Sequence, residues 1–370
     1  HLAPLAAAVA LLSAALGAQA QIISVGTPPV VSATPTQSSG GPVTANGGGS
    51  LVLGTLEPVT TNNSNNSIGA SAHGNEHQLA SGATAALTIT SQAGATNPTV
   101  AAVQAVTGAV TANTTNTTVG IDTTGAANAL ANAGNRIGST ANVSGNEVLS
   151  QATGNSDVAT MAISAPTLTL GTPAIAGTVQ AVQSDISANN NTNLLGANIQ
   201  PRSGSWTGLT VNVSGNAADT NATANQSKTG IAVSSPADLT ISAAGVLSSG
   251  VIQVQTGTTK AISNVNTLGT VIQGTPPFSF PTPSPSGSSF NTSGNQATAS
   301  AQGNQQSNHI AMDAGTVQLD AALPAIANSI QSASGSTQAQ STVGMLGVNN
   351  LATNSSDNQY IVNGNTVGAS

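Results

Sequence analysis

Two of the four histidines, His73 and His77, lie four residues apart with Glu76 between them, and the chain has no cysteine. On a strand, this spacing places two imidazoles on one face, which could begin a metal site. A metal needs further ligands, and three related segments of the chain carry other residues in the place of His73: Thr153, Thr223 and Gln302. We therefore predict a solvated histidine pair beside a turn, with no metal site and no bound cofactor.

Catalytic chemistry has equally few candidates. The 11 carboxylates are scattered singly along 370 residues, with one tryptophan, Trp206, near Arg202. Glycoside-cleaving and lyase sites need paired acids, bases and aromatic platforms. The chain has no Gly-x-Ser-x-Gly elbow, and Gly47–Gly49 lacks the lysine of a phosphate-binding loop. Four basic residues cannot neutralise a nucleic-acid backbone. We predict a protein that is not an enzyme and binds no nucleic acid.

The overall composition points to an unusual interior. Charged residues make up 4% of the chain and aromatic residues 1%, so a core must be assembled mainly from Ala, Val, Ile and Leu. The formal net charge is only −7, which is low for a disordered polar chain of this length.

Asparagine recurs in a fixed frame, Asn-x3-Asn-x5-Ala-x2-Asn, which we call the asparagine motif. Its four copies are Asn62, Asn66, Ala72, Asn75; Asn142, Asn146, Ala152, Asn155; Asn212, Asn216, Ala222, Asn225; and Asn291, Asn295, Ala301, Asn304. A glutamine motif, [Val/Ile]-Gln-x7-Ala-x6-[Val/Leu]-Gly, lies between them. Its Gln and Gly positions are Gln104, Gly120; Gln180, Gly196; Gln253, Gly269; and Gln331, Gly347. Four copies without a gap indicate a structural repeat of about 75 residues.

Fragments of both motifs flank the complete copies. Leu51–Gly54 is similar to the last part of a glutamine motif, and Asn354-x3-Asn358 with Gln359–Val362 is similar to the start of an asparagine motif. We predict a secretory signal-like segment at residues 1–20, an N-terminal half-repeat at 21–61 and a C-terminal half-repeat at 354–370. Between the half-repeats lie four repeats, at 62–141, 142–211, 212–290 and 291–353.

Alternation of apolar and polar residues, as in Ile252–Gln255, predicts strands separated by Gly and Asn turns. When repeats stack strand on strand, equivalent residues lie about 4.8 Å apart, and asparagines can then form an amide ladder. Stacked like charges would repel, which accounts for their scarcity. We predict an all-β solenoid, or stacked amyloid-like β-layers, built from four imperfect repeats. One broad layer per repeat is favoured over several small coils, because the two motifs differ.

The segments Asn142–Asn146 and Asn291–Asn295, the latter continuing through Ala301-Gln-Gly-Asn-Gln-Gln306, resemble the repeats of Fap-type bacterial functional amyloid subunits. The resemblance covers about 20 residues per copy, and the family's usual C-terminal Cys-x-x-Cys is missing. It implies a secreted fibre subunit of biofilm matrix, stacked as β-layers.

We therefore expect a secreted, extracellular or cell-surface protein that polymerises head-to-tail, with other copies, outer-membrane secretion machinery and a nucleator as partners. The expected interface residues are Asn354, Asn358, Tyr360, Ile361 and Val362, which would complete a layer split between two molecules. The alternative is a monomeric solenoid that acts as an adhesin or binds ice through threonine rows such as Thr114–Thr118.

Overall fold

The computed structural model describes nine ranges of the chain: 36–56, 60–84, 87–90, 99–124, 136–171, 173–201, 206–273, 285–352 and 355–370. The predicted signal-like segment and Asn354 lie outside the described residues. Within these ranges the chain contains strands and no helix, and so no helix that could cross a membrane. Every strand pairing there is parallel.

Four parallel sheets run through the whole stack, and we call them sheets A to D. Sheet A contains β1 (Thr36–Ser39), β7 (Thr99–Val106), β12 (Pro173–Val182), β16 (Val246–Gln255) and β20 (Ala325–Ala333). Sheet B contains β2 (Val43–Gly47), β3 (Ser50–Leu53), β8 (Val110–Asp122), β13 (Ile186–Ile199), β17 (Thr259–Ile272) and β21 (Thr337–Asn350).

The other two sheets carry the asparagine motifs. Sheet C contains β4 (Thr60–Ser64), β9 (Thr140–Ser144), β14 (Thr210–Ser214), β18 (Ser289–Ser293) and β22 (Gln359–Asn363). Sheet D contains β5 (Ser67–Thr84), β6 (Leu87–Thr90), β10 (Glu147–Ser164), β11 (Thr167–Gly171), β15 (Ala217–Ile241), β19 (Gln296–Leu319) and β23 (Thr366–Ala369).

The chain passes through sheets A, B, C and D in that order and then begins the next layer. Layer 1 is β1–β6, layer 2 is β7–β11, layer 3 is β12–β15, layer 4 is β16–β19 and layer 5 is β20–β23. The predicted all-β stack of parallel layers, with one broad layer per repeat, is thus confirmed. In layers 2 to 5 a glutamine motif lies in sheets A and B, and in layers 1 to 4 an asparagine motif lies in sheet C and the first part of sheet D.

The layers divide the chain differently from the sequence-based boundaries. A repeat read from sequence has no intrinsic starting point, and the fold begins each layer in sheet A. The N-terminal half-repeat therefore shares layer 1 with the first asparagine motif, and residues 359–369 share layer 5 with β20 and β21. Each outer layer has strands in all four sheets, but sheet D of layer 5 contains only β23, which pairs with Gln296–Ala299 of the 24-residue strand β19. The expected layer split between two molecules stays a prediction.

Small apolar side chains fill the layers where sheet D packs against sheets A and B. Clusters of Ala, Val and Ile, such as Val106, Ala152 and Ile186, occupy the centre of the cross-section. Larger residues, including Trp206, Leu209 and Phe290, fill the space between the end of sheet B and sheet C. Trp206 is buried among these packing residues.

Candidate assembly site: side-chain ladders at the layer faces

A left-handed turn between sheets C and D explains the spacing of the asparagine motif. The residue before the second asparagine has φ near +60° in all five layers: Asn65, Gly145, Gly215, Gly294 and Gly364. Glycine adopts this conformation without penalty, and asparagine tolerates it better than most residues. The turn brings the next residue, an asparagine in every layer, to the same place above its predecessor.

The resulting asparagine column, which we call the Asn66 column, is an unbroken amide ladder. Each Nδ2 donates to the Oδ1 of the next layer: Asn66 to Asn146 at 2.8 Å, Asn146 to Asn216 at 2.9 Å, Asn216 to Asn295 at 2.8 Å and Asn295 to Asn365 at 3.0 Å. The backbone N–H of each donor residue also donates to that same oxygen, at 3.0–3.1 Å. Asn146, Asn216 and Asn295 are buried, so these bonds replace their hydration.

A second column, Asn75, Asn155, Asn225 and Asn304, joins layers and sheets at once. Its Nδ2 atoms donate to the Oδ1 of the next layer at 2.8–2.9 Å. Each Nδ2 also donates to a carbonyl oxygen of sheet A, for example Asn155 to Ala181 at 3.0 Å. The amide therefore ties sheet D of one layer to sheet A of the next.

The glutamines of sheet A form a third ladder, the Gln37 column, with five members. Nε2 donates to the Oε1 of the preceding layer at 2.8–2.9 Å along Gln37, Gln104, Gln180, Gln253 and Gln331. Gln104, Gln180 and Gln253 are at most 1% exposed. Each of these three also donates to a sheet D carbonyl, as does Gln37. Sequence reasoning missed Gln37, whose segment keeps the glutamine but lacks the preceding Val or Ile of the motif.

The first asparagines of the motif occupy the outer surface of sheet C. Asn142 donates to Asn62 at 2.8 Å and Asn212 to Asn142 at 2.9 Å. Asn291 continues this column in register, and Ile361 follows it in layer 5. The Oδ1 of Asn291 is buried and has no hydrogen-bond partner among the described residues.

The register corrects the alignment expected for the C-terminal segment. Ile361 stacks on Asn291, and Asn365, not Asn358, stacks on Asn295. Asn358 instead accepts from the backbone N–H of Ser288 at 2.9 Å and donates to the carbonyl of Pro285. The missed signal was the Gly364-Asn365 dipeptide, which repeats Gly145-Asn146, Gly215-Asn216 and Gly294-Asn295.

The small residues of both motifs lie in register as well. The Ala column is Ala72, Ala152, Ala222 and Ala301, and the Gly column is Gly120, Gly196, Gly269 and Gly347. These glycines have φ between +116° and +156°. In layer 1, Val52 occupies this column, so the expected alignment of Gly54 with Gly120 is wrong by two residues.

Among the described residues, Asp157 places a carboxylate inside the stack. Asp157 is buried, its Oδ1 lies 2.7 Å from the Nδ1 of His77 in the layer below, and its Oδ2 accepts from the hydroxyl of Thr178. Desolvation raises the pKa of Asp157, although the hydrogen bonds from Thr178 and His77 partly oppose this effect. His73 contacts Ser71 at 3.0 Å instead. Among the described residues no group of three or more His, Asp or Glu could hold a metal ion.

The C-terminal face, the outer side of layer 5, exposes columns that are buried elsewhere. Val143, Val213 and Thr292 are fully buried, but Val362, the next member of their column, is 51% exposed. In the neighbouring column, Tyr360 is 44% exposed and stacks on the buried ring of Phe290, with ring centroids 5.6 Å apart. Tyr360 and Val362 lie on the inward face of sheet C, and they are exposed because no described layer covers this end of the stack.

In comparisons with known proteins, no family model, no curated protein and no solved structure matches the chain.

Proposed function

We propose that this protein is a secreted structural subunit that polymerises head-to-tail into extracellular β-rich fibres, as in biofilm matrix or a surface filament. The observation that carries this proposal is the C-terminal face, where inward-pointing apolar columns end exposed at Tyr360 and Val362. Another layer with the same cross-section would bury them, as layers 2 to 4 bury their own equivalents.

The same face offers a template for further strands in sheets A, B and C, and in sheet D over Thr366–Ala369. The outer strands of sheets A, B and C, which are β20, β21 and β22, each pair on one side only within the described chain. Unpaired parallel edges bind added strands, and in the described strand pairings no two like charges stack, which removes the usual barrier to such addition. Layer 1 of a second copy has the matching set, β1 to β5.

The resemblance to Fap-type subunits supports the same proposal and suggests where and with which partners the fibres would form. Secretion, outer-membrane secretion machinery and a nucleator belong to the proposal on that basis. The four asparagine motifs that carry the resemblance form the C–D turn and the first part of sheet D in layers 1 to 4, which gives the repeat a physical role in stacking.

A flat ice-binding or adhesive threonine face has less support. Thr114 and Thr117 are buried inside the stack, so the threonine-rich β8 does not present them as one surface row. One column of sheet D does hold three threonines, Thr88, Thr169 and Thr240, but Gln318 follows in layer 4.

The test compares two substitutions of exposed aliphatic residues. Val362→Lys would bury a charge at a joint between copies, whereas Ile137→Lys alters a side chain that is 61% exposed beside layer 2. We expect fibres by electron microscopy from wild type and Ile137→Lys, and folded, non-polymerising protein from Val362→Lys. A wild-type chain that remains monomeric at all concentrations would contradict the proposal.

A further inference from the structure

The amide ladders have directions, because the nitrogen of one amide donates to the oxygen of the next. In the Asn66 column each layer donates towards layer 5, as from Asn216 to Asn295. In the Gln37 column each layer donates towards layer 1, as from Gln180 to Gln104. The two columns therefore present opposite groups at each end of the stack.

Bonds to the backbone fix both directions. The Oδ1 of Asn216 accepts from the backbone N–H of Asn146, while its Nδ2 donates to the carbonyl of Val143. The Nε2 of Gln180 likewise donates to the carbonyl of Gln226. Rotating either amide by 180° would place oxygen against oxygen and N–H against N–H, so the ladder cannot reverse without losing several bonds.

The end groups follow from these directions. At the C-terminal face, Asn365 uses one Nδ2 hydrogen for Thr292 and has a second hydrogen to donate, while Gln331 has an acceptor Oε1. At the N-terminal face, the outer side of layer 1, Asn66 has an acceptor Oδ1 and Gln37 has a second Nε2 hydrogen to donate. No donor within the described residues reaches the Oδ1 of Asn66 or the Oε1 of Gln331.

We propose that these four side chains, Gln37, Asn66, Gln331 and Asn365, set the polarity and register of the joint, and that the partner they select is a second copy in the same orientation. This inference rests on the proposed polymerisation. Stacking an N-terminal face on a C-terminal face continues both ladders, with Asn365 donating to Asn66 and Gln37 donating to Gln331. Two like faces cannot superimpose their columns, because the four sheets of the cross-section are dissimilar.

Two substitutions each reverse one end group and keep the ladder bond that the side chain accepts from the adjacent layer. Each also loses one bond to a backbone carbonyl, that of Thr292 for Asn365 and that of Glu76 for Gln37. Asn365→Asp still accepts from Asn295 but presents an acceptor to the Oδ1 of Asn66 in the next copy. Gln37→Glu still accepts from Gln104 but presents an acceptor to the Oε1 of Gln331 in the previous copy. Each variant should therefore have one blocked face and one functional face.

The experiment mixes the two variants and measures mass by sedimentation and native mass spectrometry, after circular dichroism has verified that both are folded. Asn191→Asp, a change at an exposed position on the side of the stack, controls for added charge. We expect each blocked variant alone to remain monomeric at concentrations at least about tenfold above those at which wild type and the control assemble. The mixture should form a dimer containing one copy of each.

Three results would overturn the inference: dimers of either variant alone, fibres from either variant at the wild-type concentration, or a mixture without the mixed dimer. In each case wild-type fibres would leave the proposed function standing. Failure of the wild-type chain itself to polymerise would instead overturn the proposed function, and with it this inference.

Discussion

The side-chain nitrogen of Asn216 donates to the Oδ1 of Asn295 at 2.8 Å, and the backbone N–H of Asn216 donates to the same oxygen at 3.0 Å. Two bonds from one layer therefore converge on a single acceptor of the next. Asn216 also donates to the carbonyl of Val143 in the layer below and is fully buried. No other side chain of similar size provides an acceptor on one side and two donors on the other.

Asn216→Asp should destabilise the stack by on the order of 3 kcal/mol, because it removes two donors and places a carboxylate inside the protein. Asn191→Asp, at an exposed position of β13, should change stability by less than about 0.5 kcal/mol. Urea unfolding at neutral pH checks this prediction. Equal unfolding midpoints would refute the role assigned to the Asn66 column.

Gly196→Ala should be more harmful than Gly250→Ala, although both glycines lie in strands of central layers. Gly196 has φ of +156°, and an added Cβ would meet the carbonyl of Gly269. We expect a loss of about 1–3 kcal/mol from the backbone conformation alone. A Cβ at Gly250 meets nothing within 4 Å. Thermal unfolding distinguishes the pair, and similar melting temperatures would show that the Gly column is dispensable.

Acidification should remove the free-energy cost of burying the charged form of Asp157, because the carboxylate becomes protonated. Burial raises its pKa in the folded state above the unfolded value of 3.8, so between these two pKa values the folded chain binds more protons than the unfolded chain. The stability contribution of Asp157 therefore rises as the pH falls through the folded pKa. Wild type should gain stability relative to Asp157→Asn between pH 7 and about pH 4.

The measurement is the free energy of unfolding of both proteins across that pH range, with His77→Gln as a second background because His77 contacts Asp157. A wild-type curve parallel to that of Asp157→Asn would show that Asp157 has no raised pKa.

The length and strand register of the repeat could be predicted from the sequence, but the point at which each layer begins could not. The spacing of Asn142 and Asn146 recurs in the other copies of the motif. It therefore predicts stacked strands, because stacking in register places the same residue at the same position of successive layers. Asn365 escaped prediction because Ile361 replaces the first asparagine of its motif, and only the Gly-Asn turn remains. The direction of each ladder depends on carbonyl groups such as those of Ala181 and Val143, which belong to other strands. Only the three-dimensional arrangement shows those bonds.

The most direct test of head-to-tail stacking is the axial structure of wild-type fibres, measured by cryo-electron microscopy. Five layers per subunit at about 4.8 Å per layer predict a subunit repeat near 24 Å, with all strands parallel and perpendicular to the fibre axis. The Asn66 and Gln37 columns should continue through every joint without a break. Fibres with antiparallel subunits, or with strands lying along the axis, would contradict the account.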